Sequence, residues 1–132
     1  SSDLASLVFE AGSAELSPRV QRQLREEVGP ALQGHRVKIE IRGHAWGAED
    51  RISGLDFYDL SYRRAKAVMD YLVSEVGLDP KLMELEAKAD AEPMVAARGP
   101  GAAAASNRRV QVIRTEVKPD ETHPDPNWTG RP

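Results

Sequence analysis

The chain has 132 residues, of which 40% are hydrophobic and 30% are charged, and its formal net charge is −3 at pH 7. This length suits one globular domain, and the negative charge argues against general nucleic-acid binding, which needs a basic face. The chain has no cysteine, which excludes disulfides and thiolate chemistry, and no apolar stretch long enough to span a bilayer. Either the protein is cytosolic, or an export signal and an anchor lie outside this sequence, so that membrane attachment is expected only through a segment absent from this chain.

The first half of the chain predicts a strand, a helix and a second strand. Residues 7–9 form a short β-favouring run. Ser17 and Pro18 predict a helix start, because serine caps helices and proline loses nothing at the first helical position. Apolar residues follow at helical spacing, and Pro30 is expected to end or kink the helix. Residues 37–42 then alternate apolar and charged side chains, as half-buried strands do.

The second half predicts one more helix and two more strands. Residues 45–59 carry glycines and acids and are predicted to form a loop. Ser61 is expected to cap a helix that runs to about Val76, where a glycine stops it. A strand is predicted near Leu85, and residues 109–116 alternate as a final strand.

These elements predict an α/β fold of the α+β sandwich type, with a small mixed four-stranded sheet and two long helices packed on one face. Residues 89–106 carry glycine, proline and an alanine run and are expected to form a loop. The domain is expected to span residues 1–117. Residues 118–132 combine prolines with polar residues and are expected to be disordered, because they have little apolar surface to bury.

Several short motifs follow one another in a distinctive order. The second predicted helix opens with Leu60-Ser61-Tyr62-Arg63-Arg64-Ala65. The others are Arg42-Gly43-His44-Ala45 before it, Gly77-Leu78-Asp79-Pro80 after it, and Asn107-Arg108-Arg109-Val110 at the last strand. In order and spacing these motifs resemble the OmpA-like domains, and the resemblance covers roughly residues 7–116.

The resemblance implies a non-catalytic domain of the bacterial periplasm or cell envelope, without cofactor or metal. It implies noncovalent binding of the diaminopimelate-containing stem peptide of peptidoglycan, which anchors a larger envelope protein to the cell wall. In the family an aspartate after the strand end takes the ammonium group, and an arginine on the helix takes the carboxylate. Arg64 matches that arginine. The other positions implied to contact the ligand are Ser61, His44, Ala45, Trp46, Glu49, Asp50, Phe57 and Arg109.

The expected pocket departs from the family pattern at two positions. Trp46 stands where the family has its aspartate, and Phe57 stands where it has an asparagine. Two arrangements remain open: Glu49 or Asp50 swings in to replace the acid, or the two aromatic residues fill the pocket. The second arrangement favours an alternative function, a degenerate domain that acts as a protein-interaction or oligomerisation module, for example as a homodimer.

The residues themselves also indicate an anion site at the start of the second helix. With Ser61 as the cap, Arg63 and Arg64 lie in the first turn, where free backbone N–H groups and a guanidinium together suit a carboxylate. The alternative is that both arginines are solvated or pair with the nearby acids Asp56, Asp59 or Glu49.

Overall fold

Two long helical segments and a four-stranded sheet make up residues 2–91 and 107–115, the part of the chain that this computed structural model describes. The strands are β1 (Ser2–Val8), β2 (Lys38–Gly43), β3 (Met83–Ala87) and β4 (Arg109–Thr115). Their order is β1-β4-β2-β3; β2 and β3 are parallel, and the other two pairs are antiparallel. The predicted mixed sheet is confirmed, although β1 begins earlier than expected and Phe9 lies beyond its end.

The first helical segment passes through Pro30 rather than ending there. It consists of α1 (Pro18–Gln23), a π-helical stretch (Leu24–Val28) and α2 (Gly29–Leu32). Ser17 caps it as predicted, since its Oγ accepts a hydrogen bond from the Val20 amide at 3.1 Å. Proline lacks an N–H and its ring clashes with the carbonyl four residues earlier in a regular helix. The wider π turn before Pro30 relieves that clash, so the helix continues.

The second helical segment begins earlier than predicted. Its parts are α4 (Phe57–Tyr71) and a π-helical stretch (Leu72–Val76), which ends near the predicted residue. The N-cap is Asp56, whose carboxylate accepts the Asp59 amide at 2.7 Å, so the prediction of Ser61 as the cap was wrong. Aspartate and serine cap helices about equally well, and Asp56 comes first along the chain.

The predicted loop of residues 45–59 is largely helical. It contains α3 (Gly47–Asp50), a 3₁₀ turn (Arg51–Ser53) and the first residues of α4. Gly47 and Gly54 flank the two short elements with φ angles of +84° and +79°, a left-handed conformation that glycine adopts without strain. Residues 47–54 therefore form a compact excursion between β2 and α4, named the 47–54 segment below.

Both helical segments pack on the same face of the sheet, as predicted. The core residues, none more than 4% exposed, are Leu7, Ile39, Ile41, Val110 and Val112 from the sheet and Val20, Leu24, Val28, Leu32, Ala65, Val68 and Leu72 from the helices. The closest approach is at Gly43, where an added Cβ would lie 2.0 Å from the carbonyl oxygen of Ser61. The missing side chain lets α4 lie directly on the end of β2.

Two predictions concern segments outside the described residues. Most of the predicted loop of residues 89–106 and the whole predicted tail of residues 118–132 fall there. In the described ranges, no helix combines the length and the apolar character needed to cross a membrane.

Candidate functional site

Arg64 projects from α4 toward the chain that follows β1 and the chain that follows β2, and its side chain is 0% exposed. Its guanidinium donates two parallel hydrogen bonds to the carboxylate of Asp50, from Nη1 to Oδ2 at 2.8 Å and from Nη2 to Oδ1 at 2.7 Å. The other three N–H groups donate to the backbone carbonyls of Ser13, His44 and Glu10, at 2.8, 3.1 and 3.1 Å. All five donors of the guanidinium are therefore engaged.

Asp50 supplies the acid of this site and is also 0% exposed. Beyond Arg64, its Oδ1 accepts the Gly12 amide at 2.8 Å and its Oδ2 accepts the Trp46 amide at 2.9 Å. Burial raises the pKa of Asp50, but the hydrogen bonds from Arg64, Gly12 and Trp46 outweigh it and hold the pKa below its usual value. The carboxylate is thus ionised and fully hydrogen-bonded at neutral pH.

Of the two arrangements that the sequence left open, the structure has an acid facing Arg64. That acid is Asp50, whereas Glu49 is exposed. Trp46 and Phe57 do not fill the guanidinium site; both line a neighbouring cavity of about 280 Å³ with Gly47, Ala48, Arg51 and Asp90. The Arg51 guanidinium lies 4.7 Å from the centroid of the Phe57 ring.

The donors around the carboxylate differ from the expected ones. Because α4 begins at Phe57, Arg63 and Arg64 lie more than one turn beyond the helix start, and the predicted contribution of helix-start amides was wrong. The amides of Gly12 and Trp46 take that role. Gly12 was missed because it is 38 residues from Asp50 in sequence. The sequence signals near it were the turn-prone run around Gly12 and the similarity of Phe9 and Gly12 to the opening of the OmpA-like domains, and neither indicated a contact with Asp50.

Ser61 is close to the site but does not face the carboxylate. Its Oγ donates to the Tyr58 carbonyl at 2.9 Å and accepts the Ala89 amide at 3.1 Å. It therefore ties the start of α4 to the chain beyond β3. Ala45 is buried nearby, and its amide donates to the Ala89 carbonyl at 2.8 Å. Ser61 and Ala45 therefore both hold Ala89, in the chain beyond β3, close to α4 and to the end of β2.

Arg109 and the ring of His44 also lie apart from the carboxylate. Val110 and Val112 point into the core, so Arg109 and Gln111 belong to the opposite face of the sheet. The Gln111 Oε1 lies 2.7 Å from His44 Nε2 and accepts Arg109 Nη2 at 3.2 Å. The carbonyl of His44 does reach the site, because it accepts a hydrogen bond from Arg64 at 3.1 Å. The expectation that His44 and Arg109 contact a ligand stays a prediction.

Metal chemistry finds no support in the part of the chain that the structure describes. Residues 2–91 and 107–115 contain no group of three histidine, aspartate or glutamate side chains placed to hold a metal ion. Asp50, which is buried, forms an ion pair with Arg64.

Solved structures share this fold. The C-terminal domain of Helicobacter pylori MotB has a TM-score of 0.76 and 20% identity, with 89% of each chain covered. The peptidoglycan-associated lipoprotein from Burkholderia pseudomallei has a TM-score of 0.71 and 23% identity, covering 83% of this chain and 89% of that one. The cell wall anchor of the T6SS from Pseudomonas aeruginosa has a TM-score of 0.62 and 25% identity, covering 83% and 76%.

The comparisons also bear on catalysis and family. None of these three names is that of an enzyme. No curated protein matches this chain in sequence. The sequence profile of the OmpA family matches residues 8–108, which is most of the chain, and the chain therefore belongs to the OmpA family.

Proposed function

We propose that this chain is a non-catalytic domain that associates with peptidoglycan and attaches an envelope protein to the cell wall of a bacterium. The observation that carries the proposal is the site around Arg64, at the position where the family resemblance places a carboxylate-binding arginine. A guanidinium and two backbone amides there hold a carboxylate with four hydrogen bonds. The geometry therefore suits a carboxylate ligand, and the carboxylate in it is that of Asp50.

The finer proposal is that the ligand is the diaminopimelate end of a stem peptide. Such a group carries a carboxylate and an ammonium side by side. The cavity next to the Arg64 site offers Asp90 for the ammonium, and the rings of Trp46 and Phe57 flank it. Aromatic walls with a few placed charges are typical of small-ligand sites. Asp90 would thus replace the acid that the family has at the position of Trp46.

Family membership supports the wall as the partner. The relatives with the same fold include a peptidoglycan-associated lipoprotein and a cell wall anchor. Helicobacter pylori MotB, the third of these relatives, also matches through a structure of its periplasmic domain. By the same reasoning we place this chain in the periplasm or cell envelope.

The test is co-sedimentation with purified peptidoglycan that contains diaminopimelate, followed by calorimetric titration with the matching tripeptide. We expect the wild type and Arg63→Met to bind, because Arg63 is exposed on the same helix. We expect Asp50→Asn/Arg64→Met, which removes both charges together, to lose binding while keeping its circular dichroism spectrum. Equal sedimentation of all three proteins, or of none, would contradict the proposal.

A second candidate function is a protein-interaction or oligomerisation module. It is favoured by exposed apolar residues in the 3₁₀ turn before α4 and in the first turns of α4. Ile52 is 79% exposed, Tyr58 61% and Tyr62 44%. Light scattering during size-exclusion chromatography separates the two ideas. A dimer that Tyr58→Ala converts to a monomer would favour the second function, and a strict monomer that binds the tripeptide would count against it.

A further inference from the structure

The side chain of Asp50 is bound as an external ligand would be. Its carboxylate meets the guanidinium fork of Arg64, which is the geometry by which arginine recognises carboxylates in general. The amides of Gly12 and Trp46 complete the site from two other parts of the chain. Both ionic side chains are 0% exposed, so no external carboxylate reaches Arg64 while Asp50 is in place.

We propose that Asp50 is an internal ligand, and that the 47–54 segment is a lid which must swing out before an external carboxylate can bind Arg64. The proposal rests on the proposed function for the identity of that external carboxylate. It goes beyond that function because it makes binding a competition between two carboxylates for one guanidinium.

The construction of the 47–54 segment fits a lid. Glycines in the left-handed conformation mark both of its ends, Gly47 at φ +84° and Gly54 at φ +79°. Most of its surface faces solvent, and Ile52 is 79% exposed. A segment with little buried apolar surface opens at low free-energy cost once its anchoring contacts are released.

Asp50 makes the buried, bidentate contact among them. Elsewhere the segment meets the turn at Gly12, where an added Cβ would lie 3.3 Å from the Ser53 amide nitrogen. Arg51 adds the contact with the Phe57 ring at 4.7 Å. Neither of these contacts is a buried ion pair with two hydrogen bonds, as the contact of Asp50 with Arg64 is. The lid is therefore expected to stay closed while Asp50 binds Arg64 and to open when another carboxylate takes its place.

The primary test is chemical rescue of Asp50→Ala by acetate. This variant leaves the Arg64 charge buried without its partner, with room where the carboxylate was. We expect acetate, but not chloride at equal ionic strength, to raise its urea midpoint and to saturate. At acetate about 100-fold above its dissociation constant, the folding equilibrium constant should rise about 100-fold. Wild-type protein should respond no differently to the two salts.

Two controls define the site. Asp50→Asn fills the same space with an amide and should show no acetate rescue, and Asp50→Ala/Arg64→Met lacks the guanidinium and should show none. Asp50→Ser, tested with the smaller formate, is the second variant in case the alanine variant does not fold alone. If neither Asp50→Ala nor Asp50→Ser responds to acetate or formate, the internal-ligand proposal is overturned.

The lid itself is tested with the diaminopimelate tripeptide. We expect Asp50→Ala to bind it at least about tenfold more tightly than the wild type, because the wild type must first populate an open state. Equal affinities would overturn the lid. Acetate rescue without any tripeptide binding would support the internal ligand and contradict the proposed function. Wild-type binding to the wall without acetate rescue would support the proposed function and contradict the internal ligand.

Discussion

Helix α4 carries two ion pairs of the same length in two different environments. Arg64 reaches Asp50 at 2.7 Å with both side chains 0% exposed. Lys66, two residues further along, reaches Asp70 at the same 2.7 Å, with the side chains 46% and 59% exposed. The inner pair lies under the 47–54 segment, and the outer pair lies on the solvent face of the helix.

The comparison shows that distance alone says little about what an ion pair does. Water screens the outer pair, and exposed pairs of this spacing add little to stability. The inner pair is different, because a charge left alone in the protein interior is costly whatever the pair contributes when complete. Substitutions at the inner pair are therefore expected to cost more stability than substitutions at the outer pair.

The largest expected effect comes from removing the inner guanidinium. Arg64→Ala leaves the buried carboxylate of Asp50 without its partner, and we expect a loss of about 3–5 kcal/mol in the free energy of unfolding, measured in urea. Arg63→Ala, on the exposed side of the same turn, should change it by no more than about 0.5 kcal/mol. Similar losses in both variants would mean that burial does not distinguish the two faces.

The next effect tests the backbone contact that holds the inner pair in place. In Gly43→Ala the new methyl would lie 2.0 Å from the Ser61 carbonyl oxygen, so α4 must move away from β2. We expect a loss of about 1–3 kcal/mol or more in the free energy of unfolding.

A matched control for this substitution is Gly29→Ala, whose new methyl would meet a side-chain methyl of Val76 at 3.0 Å and the carbonyl oxygen of Leu24 at 3.2 Å. Both contacts are much longer than the 2.0 Å at Gly43, and alanine favours a helix over glycine by about 1 kcal/mol, so the net effect of Gly29→Ala should be smaller. A larger loss for Gly29→Ala would contradict the close approach at Gly43.

A smaller effect concerns acid. The pKa of Asp50 is lowered in the folded state, so its contribution to stability is complete above the ordinary carboxyl pKa of 3.8 and is lost as the pH falls through the lower folded value. We expect the unfolding free energy of the wild type to fall in this window. Asp50→Asn should be less stable at neutral pH. Its free energy of unfolding should decrease less than that of the wild type between neutral pH and about pH 2. Parallel acid limbs would show that Asp50 does not titrate there.

The smallest expected effect is that of the outer pair. The pKa of Lys66 is raised, chiefly by its hydrogen bond to Asp70, but both side chains are open to solvent. A double-mutant cycle with Lys66→Ala and Asp70→Ala should give a coupling on the order of one tenth of the Arg64 effect, abolished by salt. A coupling comparable with that of the inner pair would refute the comparison.

Most of the fold could be predicted from local patterns. The alternation in residues 37–42 and 109–116 identified β2 and β4, and the apolar spacing in the two helices identified their inner faces. The helix starts were less certain, because Asp56 and Ser61 both suit a cap and only the packed structure distinguishes them. At Pro30 the sequence left open whether the helix ends or continues after a kink, because a π turn, which lets the helix continue, has no clear sequence signal.

The site was predicted in part. The motif around Arg64 identified the arginine, and Asp50 was one of two acids named as a replacement for the missing aspartate. The choice between Glu49 and Asp50 depends on one residue of register in a short helix. The amides of Gly12 and Trp46 could not be predicted as donors, because backbone donors carry no residue-specific signal. Arg109 was included through the family pattern, although strand alternation directs it to the other face.

The sequence by itself determined the family, the order of the elements and the central arginine of α4, because these depend on periodicity and on short motifs. Only the tertiary structure decided that Asp50 faces this arginine and that the chain after β1 and the chain after β2 supply the other hydrogen-bond partners. The physical reason is that a buried charge takes the partner that three-dimensional packing brings within hydrogen-bonding distance, and that partner need not be near it in sequence.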